Sequence, residues 1–464
     1  MTNTKFDMVV IGTGPGGYVS AIRGSQLGLN VAVVEREDLG GICLNWGCIP
    51  TKSILRSAEI FHLMNRATEF GLKAENVDFD LNQIIKRSRN IAKQLSGGVT
   101  HLLRKNKVTV FNGEAKFKSK NELLISESGK ETSITAKNIV IATGARARQV
   151  PGLEVDGKNI WAYREALQPP RVPKKLLVVG SGAIGIEFAS FFNSIGSETT
   201  VVEMLDTILP VEDREISAFA KKQFQKHGMT IIEGAQVKGT KKVKEGIEVT
   251  IKDAKGESKV IFDTIISAVG IVGNVENLNL EGIGVKVDRT HIVVDELCRT
   301  GVPNVYAIGD VAGPPWLAHK ASHEGVMVAE IIGGGKPHPI TPNSIPGCTY
   351  SMPQIASVGL TEEKCKEMGI KYKVGRFPFI GNGKAIALGE SEGLIKTIFD
   401  EKSGELLGAH MVGSEVTELI QGYVVGRQLE TTESELMDTV FPHPTLSEMM
   451  HESVLNAYDK AIHI

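Results

Sequence analysis

The sequence predicts an α/β protein: two doubly wound, parallel-sheet units followed by an α+β unit at the C-terminus. Three observations carry this expectation. A strand, a Gly-x-Gly-x-x-Gly turn, a helix-period segment and a second strand ending in Glu occur together twice. The copies are "DMVVIGTGPGGYVSAIRGSQLGLNVAVVERE" from Asp7 and "KLLVVGSGAIGIEFASFFNSIGSETTVVEML" from Lys175. A further apolar run, "VPNVYAIGD", resembles another strand and ends in Gly309-Asp310 at its C-terminal edge, where ligands bind in doubly wound sheets. After "NSIPGCTYSMPQIASVG" the pattern changes to strands followed by two amphipathic helices.

Each part of the repeat has a physical reason. The first glycine (Gly12, Gly180) permits the tight turn, the second (Gly14, Gly182) lets backbone approach a pyrophosphate, and the third (Gly17, Gly185) allows close packing of helix on strand. The helix N-terminus offers unpaired N–H groups and a positive dipole to phosphates. Glu35 and Glu203 each lie 18 residues beyond the third glycine, where a carboxylate can accept from a ribose 2′-hydroxyl. The pattern predicts two Rossmann-like dinucleotide-binding units. Glu203 is followed by Met204 and Leu205, with no arginine to receive a 2′-phosphate, so the second unit is expected to take NAD rather than NADP. A basic residue at 203 would shift that preference.

Between the copies, residues 82–106 read as a polar, basic helix, and "VTVFNGEAKF" and "SITAKNIVIATGA" return to strands. "VPGLEV" supplies a Pro-Gly break. The expected units are residues 1–147, 148–273 and, for the α+β unit, 347–464.

Composition narrows the function. The 464 residues are 42% apolar and 23% charged with a net charge of −2, which gives no basic face for nucleic acid and no polybasic membrane patch. No apolar run approaches the length of a membrane span. Six mostly polar residues lead directly into the first strand, which leaves no room for a targeting segment, and five cysteines are too few for a stapled secreted fold. A cytoplasmic protein handling small molecules is expected. Cys298, Cys348 and Cys365 are scattered and read as ordinary thiols.

Cys43 and Cys48 stand apart, in "LGGICLNWGCIPTKSIL". As a staple, so short a loop would contribute only about 2 kcal/mol, and a reducing compartment would not keep it closed. As a zinc site, the pair lacks two further ligands. A redox-active dithiol fits, because a disulfide exchanges two electrons through a mixed disulfide. Hydride does not pass cleanly from NAD to a disulfide, so a flavin is expected between them, with FAD at the first fingerprint. Pro50 reads as the start of a helix, which puts Cys48 ahead of a helix N-terminus that favours a thiolate, with Lys52 adding positive charge.

"GGICLNWGCIPTK" resembles the disulfide motif of the flavoprotein disulfide reductases, and the chain resembles the dihydrolipoamide dehydrogenases of that family from end to end. The resemblance implies FAD at the first fingerprint, NAD at the second, a central domain over 274–346 completing the FAD site, and a C-terminal dimerisation domain in an obligatory homodimer. It implies that Cys43 is the interchange thiol, that Cys48 is the charge-transfer thiolate against the flavin, and that Lys52 and Glu187 pair near the flavin's reactive nitrogen. Glu35, Ala115, Thr143, Gly144, Asp310, Leu317, Ala318 and His319 match FAD contacts; Val237 and Gly270 match NAD contacts. Read without the family, Asp310 is either a residue of the ligand-binding strand edge, the favoured reading, or a plain turn aspartate.

In "FPHPTLSEMMHE", Thr445-x-x-Glu448 alone is a helix capping box, and Glu448-x-x-His451 is a weak metal pair without a second copy. The family's His-Pro-x-x-x-x-Glu motif implies instead that His443 is the catalytic base, oriented by Glu448 and reaching the partner subunit's dithiol. An imidazole suits the removal of a thiol proton near neutral pH. His319 and His323 lack the glutamate of His-Glu-x-x-His, so no metal is expected.

Two departures stand out. Many relatives carry Gly-Arg-x-Pro-Asn where this chain has "VGIVGNVEN", and Trp46 replaces a small apolar residue between the cysteines. Glutathione and mercuric reductases share the disulfide motif. "CIPTK", Glu203 and a tail without a cysteine pair favour the lipoamide enzymes, whose partners are the lipoyl domains of 2-oxoacid dehydrogenase or glycine cleavage components. A non-catalytic subunit of such a complex is the alternative from another class.

Overall fold

The computed structural model describes residues 4–464, and the chain separates into two compact units. The first comprises residues up to 53, then 82–148 and 270–340. Its sheet runs in the order Thr109–Asn112, Val31–Glu35, Lys5–Ile11, Lys130–Ile141, Glu122–Glu127, Glu114–Ser119, with Val305–Ala307 also pairing to Lys130–Ile141. The strands around Lys5–Ile11 are parallel, as is Val305–Ala307, while the two that follow Thr109–Asn112 in the chain form an antiparallel hairpin. Val9, Ile11, Ile139 and Ile141 feed one core and Met8, Val10 and Val140 another, so both faces of the sheet are buried. That is why these strands read as unbroken apolar runs rather than as alternations.

Parallel register fixes where the loops fall. Ile11, Ile141 and Ala307 are aligned, so the chain leaves the strands at one edge through Gly12, Ala142 and Ile308. The helix Pro15–Gln26 starts at that edge and packs on Ala318–Ile332 with almost no space between: a Cβ on Gly325 would stand 2.5 Å from the Gly16 carbonyl oxygen.

The second unit comprises 54–81, 149–269 and 341–464. It holds a five-stranded parallel sheet in the order Thr230–Ile232, Glu198–Val202, Lys175–Val179, Thr264–Ser267, Ile160–Trp161. It also holds an antiparallel three-stranded sheet and a five-stranded antiparallel sheet of residues 347–413. Three helices follow the last sheet rather than the two expected: Val416–Gln428, the short Glu433–Asp438, and Glu448–Asn456. The extra helix is only six residues, with Thr432 and Glu435 forming its capping box, too short for a periodic apolar stripe to announce it.

One helix boundary also differs. The helix expected from Pro50 begins at Cys48 and runs to Asn65, with Pro50 as its third residue. Proline is tolerated there because the N–H groups of the first turn have no intrahelical acceptor to lose. No described helix is long and apolar enough to cross a membrane.

Candidate active site

The two glycine turns are built alike. Gly12 and Gly180 have φ of 96° and 97°, and a Cβ on either would stand 2.4 Å from a carbonyl oxygen, of Ala142 and Ala268 respectively. A Cβ on Gly17 or Gly185 would lie 2.0 or 2.1 Å from the carbonyl oxygen of the first glycine. A Cβ on Gly14 or Gly182 would meet nothing within 4 Å, and each glycine caps the helix that follows. The outer glycines are therefore held against the chain's own backbone while the middle one opens outward at a helix N-terminus. This is the cradle a dinucleotide pyrophosphate requires.

The acids at the strand ends bond within their own glycine turns. Glu35 Oε2 accepts from the Thr13 N–H at 2.9 Å and the Thr13 hydroxyl at 2.6 Å, and its Oε1 accepts the N–H groups of Arg36 and Glu37. Glu203 Oε2 accepts from the Ser181 N–H at 2.9 Å and hydroxyl at 2.6 Å, and its Oε1 from the Leu205 N–H. Each carboxylate thus braces its own glycine turn. The available signal was a hydroxyl residue between the first two glycines of both copies.

The first unit gathers most of the residues expected at FAD. Thr143 and Gly144 follow the strand Lys130–Ile141, and the Thr143 hydroxyl donates to the Asn274 carbonyl at 2.7 Å. The Gly113 N–H donates to the Glu35 carbonyl, which sets Ala115 two residues beyond that contact. Asp310 lies in a single 3-10 turn, Gly309–Ala312, whose Gly309 N–H donates to Glu324 at 2.7 Å. Glu324 pairs with buried Lys320 at 2.8 Å. Burial pushes the Asp310 carboxyl above the ordinary aspartate range, with Lys320 opposing and Glu324 adding to the rise. Leu317 caps the helix Ala318–Ile332, so Ala318 and His319 form its first turn.

The disulfide is closed, Cys43 to Cys48, with Cα atoms 4.7 Å apart. Cys43 sits in the short helix Gly41–Trp46 and Cys48 opens the next. This loop is held against the first glycine turn: the Gly40 N–H donates to the Thr13 carbonyl at 3.1 Å, and a Cβ on Gly41 would meet Gly14 Cα at 2.7 Å. From the basic helix Leu81–Lys105, Arg89 lays its guanidinium 4.1 Å from the centre of a Trp46 ring and donates to the Asn45 carbonyl. Arg87 donates to the Ser53 carbonyl and hydroxyl. Lys52 lies in the helix that Cys48 opens.

The strand that faces "VGIVGNVEN" carries an arginine of its own. Ala145–Ala147 pairs antiparallel with Ile271–Gly273 and places Arg146 opposite Val272. Arg146 donates to Asn274 Oδ1 at 2.9 Å and to both Glu276 carboxylate oxygens at 3.0 and 2.7 Å. Gly270, at φ 102°, accepts the Arg148 N–H.

In the second unit, Glu187 is buried in the helix Ala183–Ser194, and its Oε1 accepts the Tyr350 N–H at 2.9 Å. Val237 lies in the strand Gln236–Val243 opposite Ile251. His443 and Glu448 meet, with Nδ1 and Oε1 2.9 Å apart, while Glu448 Oε2 accepts the Thr445 N–H at 2.9 Å. Only half of the expected capping box forms. The helix begins at Glu448 itself, and the Thr445 hydroxyl donates to the Pro442 carbonyl. Burial opposes ionisation of Glu448, but the Thr445 N–H and the His443 ring hold its carboxyl below the usual range. The His443 side chain is 80% exposed.

The remaining candidates resolve simply. His451 Nε2 lies 2.9 Å from the Met437 carbonyl oxygen, His323 Nδ1 lies 2.9 Å from the His319 carbonyl oxygen, and no cluster among the described residues could hold a metal. Cys298 and Cys365 are buried, with burial raising both thiols.

Comparison with known proteins places this geometry. Residues 6–325 match the family model described as pyridine nucleotide-disulphide oxidoreductase, and 345–454 match the dimerisation domain of the same name. A dihydrolipoyl dehydrogenase from Zymomonas mobilis is 57% identical over 461 residues, covering 99% of both chains. One from Rhizobium etli is 54% identical and one from Bacillus subtilis 40%, each over 99% of both chains. Among solved structures, LpdA from Mycobacterium tuberculosis matches with a TM-score of 0.90 at 26% identity, over 97% of this chain and 99% of its own. The flavoprotein disulfide reductase RclA from Escherichia coli matches at 0.85 over the same shares. With two glycine turns built alike, a closed disulfide held against the first of them, and likeness over its whole length, the chain belongs to the pyridine nucleotide-disulphide oxidoreductase family.

Proposed function

We propose that the chain oxidises protein-bound dihydrolipoamide to lipoamide with NAD, using FAD and the Cys43–Cys48 couple, as a homodimer in the cytoplasm. The observation that carries this reading is the disulfide loop held on the first glycine turn, which sets a two-electron sulfur couple beside a dinucleotide cradle. The open space at Gly14 and Gly182 fits two such cofactors. Residues 1–147 would bind FAD with help from 274–346, residues 148–273 would bind NAD, and 347–464 would carry the dimer contact.

His443 takes a proton from one substrate thiol, and the thiolate attacks Cys43 Sγ. The Cys43–Cys48 bond breaks and Cys48 leaves as thiolate. At the first position of a helix, unpaired N–H groups and the dipole stabilise that charge. The second substrate sulfur, once deprotonated, attacks the mixed disulfide and releases Cys43, so the substrate leaves as a disulfide two electrons poorer. Held at the Gly12–Gly17 turn, FAD would supply a two-electron acceptor for that pair, and NAD at the Gly180–Gly185 turn would supply the final hydride acceptor. Glu448 fixes the orientation of the His443 ring, and Lys52 and Glu187 are assigned to hold charge near the flavin. Glu203, a carboxylate buried at the second strand end, would repel a 2′-phosphate and so favours NAD.

The deciding assay compares NADH formation from free dihydrolipoamide with NADPH-dependent reduction of glutathione disulfide. The proposal expects the first to exceed the second by orders of magnitude; the reverse order would overturn it.

A further inference from the structure

Asn45 and Trp46 stand between the two cysteines, at the end of the short helix Gly41–Trp46. Asn45 is buried, and its Nδ2 donates to the carbonyls of Leu39 and Gly41, each at 3.0 Å. The last carbonyls of a helix have no partner within it. The Asn45 carbonyl finds one in Arg89, on the helix Leu81–Lys105, and the same guanidinium lies 4.1 Å from the centre of a Trp46 ring. Arg89 and Trp46 are both half-buried. Two turns further along that helix, Ser96 Oγ donates to the Leu39 carbonyl at 2.8 Å. Half a turn the other way, Arg87 donates to the Ser53 carbonyl and hydroxyl at 3.1 and 2.8 Å, on the helix that Cys48 opens. One helix therefore grips the chain before Cys43, between the cysteines and after Cys48, and Arg89 supplies the middle grip.

We propose that Arg89, stacked on Trp46 and bonded to the Asn45 carbonyl, is a positioning residue for the Cys43–Cys48 couple: it holds the loop in its closed shape and so makes the dithiol a stronger reductant. The inference deepens the proposed function and rests on exchange between this pair and a dithiol substrate.

In the exchange, two electrons leave dihydrolipoamide, which closes to lipoamide, and the Cys43–Cys48 bond breaks; the protons released pass to the enzyme thiols and solvent. How readily the pair closes again depends on the effective concentration of one sulfur at the other, which contacts on the intervening residues raise by holding the open loop near its closed geometry. Arginine suits the task because its planar guanidinium stacks on an indole face while its edge donates to a carbonyl, which a lysine ammonium cannot do together. The charge of Arg89 works in the opposite direction, since a cation beside the loop favours thiolates and hence the open form. Holding and charge therefore predict opposite signs when Arg89 is removed, and the proposal is that holding prevails.

The test equilibrates the flavin-loaded homodimer, without NAD, in buffers of stepped dihydrolipoamide-to-lipoamide ratio at one pH. A thiol-alkylating quench and mass spectrometry then count the open pairs. Arg89→Ala should open at a ratio about tenfold lower than wild type, a potential about 30 mV higher. Arg89→Lys keeps the charge without the planar fork and should move the same way. Trp46→Val removes only the platform and should move the same way by less, and the double variant should match Arg89→Ala because the ring acts through the guanidinium. Should Arg89→Ala fail to fold, Arg89→Lys and Trp46→Val carry the same prediction. A residue that only packs would lower thermal stability and leave the midpoint ratio at the wild-type value, which overturns the proposal. A midpoint at a higher ratio in Arg89→Ala, with Arg89→Lys like wild type, would assign the effect to charge and overturn it equally. If the wild-type pair stays closed at every ratio, the proposed function fails and the inference with it. If it opens while all variants coincide with it, only the present inference fails.

Discussion

At His443 one ring nitrogen is held and the other is open. Glu448 cannot turn away, because its second oxygen is bound to the backbone of Thr445. A carboxylate on Nδ1 keeps the proton there and leaves Nε2 as the acceptor, which is the tautomer a base needs. Replacing His443 by Gln should slow the thiol half-reaction by about 10²–10⁴ while NAD still oxidises reduced flavin at the wild-type rate. Rapid-reaction measurement of the two halves separately checks this, and equal slowing of both would count against the assigned base. Glu448 was legible in two ways at once, as a cap and as an orienting acid, and in the structure its two oxygens meet the Thr445 N–H and the His443 ring. The bond between His463 and Glu452 was not legible. Glu452 lies 11 residues earlier, and only the folded tail brings the two together.

Among elements, the glycine turns were readable because a backbone with positive φ and no room for Cβ leaves glycine as the fitting residue. The cysteine pair was readable because both sulfurs sit within one short loop. A buried charge cluster in the second unit was not. Lys396, on the strand Leu394–Asp400, has its ammonium 2.8 Å from Asp213, 3.0 Å from Glu215 and 2.8 Å from Glu362. Arg376 joins it through Glu215 at 2.8 Å. These residues are scattered over nearly two hundred positions, and each alone resembles an ordinary surface charge.

The cluster predicts how the second unit responds to mutation and acid. Lys396→Met would leave buried Asp213 without its cation, at a cost of about 3–5 kcal/mol, visible as a lower denaturant midpoint. Burial works against the Glu362 carboxyl, but Lys396, Lys366 and Tyr372 hold it down to about 2, and Asp213 and Glu215 are lowered by Lys396 and their other partners despite burial. Because these folded values lie below the unfolded ones, the stability they contribute is complete above about pH 4.5 and is lost as pH falls toward 2. Acid titration of stability should therefore show a loss in that window for wild type and a smaller one for Lys396→Met. An identical acid profile would remove the cluster from the account.

The whole molecule runs two versions of one nucleotide-binding plan and places a sulfur couple against the first. The parallel strands of its two larger nucleotide-type sheets were legible from their repeat, whereas the division into compact units was not. Residues 54–81, which include the rest of the helix that Cys48 opens, belong to the second unit, and 270–340 belong to the first. Such exchanges are set by long-range packing, which leaves no local mark on composition or period. The function proposed for the assembled homodimer depends on electrons entering through Cys43 and Cys48. Thiol alkylation followed by mass spectrometry on the flavin-loaded enzyme tests this most directly. Dihydrolipoamide without NAD should make Cys43 and Cys48 alkylatable, and excess NAD should close them again while NADH appears, with Cys298 and Cys365 unmodified throughout. NADH formed from dihydrolipoamide with the pair still disulfide-bonded, or in a variant lacking either cysteine, would contradict the account.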